Sequence, residues 1–215
     1  ELGPEKVPLV QKRCIEEANR RGKPVITATQ MLESMVTSSF PTRAEASDVA
    51  NAVLDHTDAV MLSAETAVGQ HPALVVKTMR SIIEEIEDSD RYRSLAALLP
   101  PLAIDSVANA IARGAAAAAA SLPGVRAIVS ISANGHTPPL ISDYRPNVPI
   151  VALVRDRPSC SRLAAFWGIW PLHFDFSDEQ STEELLARAE ERLLERGLVR
   201  PGDVVVFTTA IPAGS

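Results

Sequence analysis

The chain has 215 residues, 46% hydrophobic and 22% charged, the mix of a folded globular protein rather than a disordered one. With 21 Lys and Arg against 27 Asp and Glu, the formal net charge is −6, which excludes a nucleic-acid-binding face built on bulk positive charge. No apolar run reaches the ~18 residues of a membrane span and no leader-like segment opens the chain, so a cytoplasmic protein without a membrane partner is expected. Cys14 and Cys160 are too far apart for a disulfide framework or a zinc spacing and are expected as buried, inert thiols. The opening on Glu1 rather than Met reads as an excised piece or a processed product.

Over the first 88 residues helix and strand patterns alternate. Val7, Val10, Cys14 and Ala18 recur at the three- and four-residue steps of one helix face. Gly22-Lys23-Pro24 stops that helix, and Val25–Thr29 is predicted as a short buried strand. After a loop at 37–41, Thr42 and Glu45 have the spacing of a capping box, and Ala46, Val49, Ala50, Val53 and Leu54 form the inward face of the next helix. Ala59–Leu62 is the second buried strand, Ser63–Gly69 a loop, and Pro72 opens a helix that buries Val75, Met79, Ile82, Ile83 and Ile86. These are two parallel βα units, too few to close a sheet or to cover both its faces. Their unpaired edges predict dimerisation, swapping or aggregation through residues 1–88.

Residues 89–103 read as a connector, with charge followed by Leu-Leu-Pro-Pro. A second unit follows over 104–215: a helix at 104–121 with six consecutive alanines, then strands at 127–131, 150–154, 169–174 and 204–208 with helices between them. The expected architecture is a three-layer α/β/α domain on a mostly parallel five-stranded sheet.

Three loops follow strands directly, where parallel α/β proteins bind ligands. Thr29 with Gln30, and Ser63 with Glu65, end successive strands and are expected side by side. Hydroxyls next to a carboxylate position a water or relay a proton, although turn and cap roles explain the same residues. The loop Ser132, Ala133, Asn134, Gly135, His136, Thr137 opens a helix, whose free N–H groups suit a phosphate. The four histidines show no metal-ligand spacing, so no metal site is expected in this chain.

Three motifs are specific. Gly22-Lys23-Pro24-Val25-Ile26-Thr27-Ala28-Thr29-Gln30-Met31-Leu32-Glu33-Ser34-Met35, Pro41–Val53 beginning Pro-Thr-Arg-Ala-Glu, and Met61-Leu62-Ser63-Ala64-Glu65-Thr66-Ala67 resemble the pyruvate kinase family, in order and at its spacing. Tyr144-Arg145-Pro146, Pro149–Arg155 and Gly202–Val205 extend the resemblance more weakly to the end of the chain. The resemblance implies that residues 1–88 are the last βα units of a (β/α)₈ barrel and 104–215 a C-terminal, allosteric-type domain. It implies transfer of the phosphoryl group of phosphoenolpyruvate to ADP, with Mg²⁺ and K⁺, in a homo-oligomer. Thr29 matches the threonine beside the enolpyruvate, Ser63 and Glu65 match a proton-delivery pair, and Gln30 lies beside them. Ser132, Asn134, Gly135, His136 and Thr137 match the loop for a phosphorylated effector. Ala64 and Asn134 depart from the Gly and Ser usual at those places. The Mg²⁺ and K⁺ ligands and the phosphate-binding Lys and Arg would precede Glu1, so this chain alone is expected to be inactive and to bind no metal. A stand-alone, non-catalytic phosphate- or effector-binding module is the alternative.

Overall fold

Capping and packing fix the elements of the first of two compact units, Glu1–Leu102 and Ala103–Ser215. The computed structural model describes residues 3–28, 30–100, 102–176 and 181–209. In the first unit α1 (Val7–Arg20), β1 (Ile26–Ala28), α2 (Arg43–Leu54), β2 (Ala59–Met61), α3 (Ala64–Ala67), α4 (Pro72–Glu87) and α5 (Asp90–Ala96) follow in order. Thr42 and Glu45 close the predicted capping box at the start of α2. The two strands are parallel, with Ile26 opposite Ala59, Thr27 opposite Val60 and Ala28 opposite Met61. Thr57 ties their N-terminal ends: its Oγ1 donates toward Val25 O and Ala59 O (3.0 Å each) and accepts from Thr27 N–H at 3.2 Å.

The core of this unit is helical. Met31, Leu32 and Met35 pack with Val49 and Ala52 of α2 and Val75 and Met79 of α4. The strands are not buried as expected: Ile26 is 54% exposed and Met61 43%. Two strands shield only one edge of each other, whereas parallel sheets are normally covered on both faces. The inward face of α1 also differs from its apolar stripe. Ile15 and Asn19 are buried, while Val7 and Cys14 are exposed. Polar contacts set this face: Asn19 Nδ2 donates to His56 O at 3.0 Å, and Lys12 pairs with Asp55. Cys160 is partly buried, so neither thiol is fully enclosed as expected. Two segments read as irregular are helical. The 63–69 loop contains α3, and the 89–103 connector contains α5, which Ser89 caps and Tyr92 anchors.

In the second unit α6 (Val107–Ser121), β3 (Val125–Ile131), α7 (Thr137–Ser142), β4 (Ile150–Val154), α8 (Arg157–Leu163), β5 (Ile169–His173), α9 (Thr182–Glu195) and β6 (Val204–Thr209) alternate. The sheet order is β5-β4-β3-β6 and every pair is parallel. It has four strands among the described residues where five were expected, one for each strand pattern in the sequence. Alternation along β3 divides the core. Ile128 faces Ala112, Ala115 and Ala119 of α6, Ile141 of α7 and Leu163 of α8. Ala127, Val129 and Ile131 face Ala189 and Leu193 of α9. The alanine run thus brings α6 close to the sheet, giving the expected three layers.

Candidate functional site

The register of β1 and β2 sends Gln30 and Ser63 from the same end of the sheet, each two residues beyond the paired Ala28 and Met61. Thr29 lies outside the described residues. Gln30 is exposed and has φ 54°, the left-handed region that a residue with a Cβ enters at a cost of about 1–3 kcal/mol. Such strain persists only where the surroundings over-determine the backbone.

Glu65 joins the two strand-end loops. It is 1% exposed. Its Oε1 accepts from Leu32 N–H at 3.1 Å and its Oε2 from Ser63 N–H at 2.6 Å. Burial pushes the carboxyl up, but the backbone N–H groups of Glu65, Ser63 and Leu32 outweigh burial and hold it below its ordinary value. Glu45, a like charge, opposes that lowering. Glu65 is therefore an ionised acceptor at neutral pH, with both oxygens engaged. Ser63 is partly buried, and its hydroxyl has no hydrogen-bond partner among the described residues. Gly69 closes this loop in a way no side chain permits: a Cβ there would lie 2.1 Å from Glu65 O.

A hard cation such as Mg²⁺ needs several free oxygen ligands. Glu65 already accepts through both oxygens, and so does Glu45, from Ser34 and Thr42. No cluster of three or more His, Cys, Asp or Glu occurs among the described residues. The described residues do not fit a Mg²⁺ site.

In the second unit the loop 132–137 leaves the carboxyl end of β3. Ser132 N–H donates to Leu153 O at 3.0 Å, and Gly135 N–H to Ser132 O at 3.4 Å. The helix it opens, α7, has six residues and begins Thr137-Pro138-Pro139. Its two prolines lack N–H groups, so the donor array expected at a helix start is largely missing. Asn134, His136 and Thr137 keep N–H groups without acceptors among the described residues. Arg162 of α8 escaped the sequence reading: its Nη2 donates to Asn134 O at 2.8 Å. Gly135 is buried with φ 63°, and a Cβ there would meet that same Nη2 at 3.0 Å. Nothing in the sequence spacing marks a contact 28 residues away.

Both units resemble parts of known proteins. A family model of the pyruvate kinase barrel domain matches residues 1–76, and one of the pyruvate kinase alpha/beta domain matches residues 109–215. The chain is 43% identical over 214 residues to the pyruvate kinase of Geobacillus stearothermophilus and 44% identical to that of Staphylococcus epidermidis. Those alignments take in 100% of this chain and 36% of each relative, so the chain spans about a third of their length. The crystal structure of a pyruvate kinase from Cryptosporidium parvum superposes with a TM-score of 0.87 at 36% identity, covering 98% of this chain and 42% of that one. No helix among the described residues is long and apolar enough to cross a membrane. With one unit matching the barrel domain and the other the alpha/beta domain, the chain belongs to the pyruvate kinase family.

Proposed function

We propose that this chain contributes part of the active site of an enzyme that transfers the phosphoryl group of phosphoenolpyruvate to ADP, giving ATP and pyruvate. The observation that carries the reading is Glu65, bridging the two strand-end loops through Leu32 and Ser63 at the carboxyl end of a parallel barrel segment. Active sites of barrels are built there from loops of successive strands.

When the P–O bond to the enol oxygen breaks, an enolate remains, and its methylene carbon must take a proton to become the methyl group of pyruvate. Thr29 and Gln30 follow β1 and line the enolpyruvate. Ser63 presents a hydroxyl that passes the proton. Glu65, held as an anion by N–H donors, fixes Ser63 in place and keeps the two loops in contact. Mg²⁺ and K⁺, which the family uses, supply charge neutralisation in phosphoryl transfer. Their ligands belong to segments other than this one, so the chain alone is inactive. In the second unit Ser132, Asn134, Gly135, His136 and Thr137 receive a phosphorylated effector, with Arg162 shaping the loop. The enzyme is a cytoplasmic, glycolytic homo-oligomer without nucleic-acid or membrane partners.

The test is a chimera in which this chain replaces the matching 214 residues of the Geobacillus stearothermophilus enzyme. In an assay coupling pyruvate to NADH oxidation, the chimera turns over and the 215-residue chain alone does not. Ser63→Ala in the chimera lowers kcat by about 10²-fold or more, the scale of a lost proton-transfer group. A folded, oligomeric chimera without turnover overturns the reading, as does turnover by the chain alone above a mock purification.

A further inference from the structure

The capping box of α2 reaches beyond α2. In an ordinary capping box the glutamate returns only to the N-cap backbone. Here Glu45 accepts four hydrogen bonds, two of them from Ser34. Ser34 N–H donates to Oε1 at 2.6 Å and Ser34 Oγ to Oε2 at 2.5 Å, while Thr42 N–H and Oγ1 donate to Oε2 at 2.7 and 2.9 Å. Ser34 lies in the helical turn Glu33–Val36, whose neighbour Leu32 is the residue that Glu65 holds. Two carboxylates thus grip one short segment from opposite elements, Glu65 from α3 and Glu45 from α2. Leu32 and Met35, both 0% exposed, seat the segment between them. Two residues before Leu32 stands the left-handed Gln30.

We propose that Glu45 is a positioning residue for the strand-end site: by gripping Ser34 it holds the turn 33–36 against Glu65, and so fixes the strained backbone at Gln30 and the placement of Ser63. The coupling is mechanical. On its N-terminal side Gln30 is preceded by β1, which β2 pairs as far as Ala28. On its C-terminal side the chain is free to relax unless something anchors it within a few residues. Glu65 anchors Leu32 through one bond; Glu45 anchors Ser34 through two. A loop residue keeps an unfavourable φ only when both flanks are pinned, and site residues are placed accurately only when their supports are. The significance for catalysis rests on the phosphoryl-transfer reading; the mechanical coupling does not.

The experiment compares Glu45→Gln with Thr42→Ala in the isotopically labelled 215-residue chain, by amide hydrogen exchange and by the Gln30 Cα chemical shift, which reports left-handed φ. Thr42→Ala removes the cap hydroxyl and leaves the grip on Ser34. It frays the first turn of α2 and leaves Leu32, Ser63 and Gln30 unchanged. Glu45→Gln speeds exchange at Leu32, Ser34 and Ser63 by about tenfold and moves the Gln30 shift toward its unfolded value, while amides at Val49–Val53 stay protected. If Glu45→Gln unfolds the first unit, Ser34→Ala decides instead. It deletes one of the two bonds and gives the same footprint at smaller amplitude. Identical footprints for Glu45→Gln and Thr42→Ala, confined to α2, overturn the proposal, as does an unmoved Gln30 shift in Ser34→Ala. None of these readouts uses turnover, so they stand or fall separately from the activity of the chimera.

Discussion

Glu65 shows what burial does to a carboxylate that is well supplied with donors. Its folded pKa is lowered, so folding favours the ionised form. The contribution to stability is complete above the ordinary carboxylate value of about 4.3 and disappears as pH falls through the lowered folded value. Glu45 is shifted the same way, because the Ser34 and Thr42 donors outweigh its burial. Urea unfolding followed from pH 7 to pH 3 should therefore show the first unit losing stability below about pH 4.5, more steeply than Glu65→Gln, which no longer titrates there. At neutral pH Glu65→Gln should cost about 1–3 kcal/mol, since an amide turned toward two N–H donors leaves one unpaired. Equal acid slopes for both proteins would show that Glu65 is not the titrating group. The sequence placed Ser63 and Glu65 at a strand end, because that follows from the order of patterns along the chain. It did not show that Leu32 N–H would occupy Glu65, a partner 33 residues away that only tertiary packing supplies.

At the level of elements, long periodic segments were legible and short or polar ones were not. α2, α4, α6 and α9 carry several turns of pattern and a recognisable start, a side-chain cap in α2, α6 and α9 and Pro72 in α4. α3 has four residues, too few for a period, and α5 hides in a stretch whose charges and prolines resemble a linker. The face of α1 was misjudged because a buried asparagine and an ion pair orient it, and an apolar pattern carries neither. Two glycines show how far helical context decides a substitution. Gly114 lies within α6 with open space where a Cβ would go, so Gly114→Ala should stabilise the second unit by about 0.5–1 kcal/mol through helix propensity. Gly69 has Glu65 O in the place of its Cβ, so Gly69→Ala must push backbone apart and should cost the first unit about 1–3 kcal/mol. Thermal unfolding of the two variants should shift in opposite directions. A neutral Gly69→Ala would mean that the α3 turn moves freely, and the accurate placement of Ser63 would be lost with it.

For the whole molecule, the two units differ in how completely they cover their strands. Among the described residues of Ala103–Ser215 a four-stranded parallel sheet has α6, α7 and α8 on one face and α9 on the other, and β4 is buried at every position. In Glu1–Leu102 two strands share a core made chiefly by helices, and Ile26 and Met61 lie open. A parallel sheet gains its stability from burial on both faces, and unpaired strand edges recruit other chains. Produced separately, residues 103–215 should therefore unfold in one cooperative transition and stay monomeric. Residues 1–102 should melt broadly, cut readily under limited proteolysis near β1 and β2, and associate as concentration rises. Light scattering and proteolysis with mass detection separate these outcomes. If residues 1–102 prove monomeric, with β1 protected at every concentration, then the helical core alone stabilises the strands, and the open edges at Ile26 and Met61 have no part in assembly.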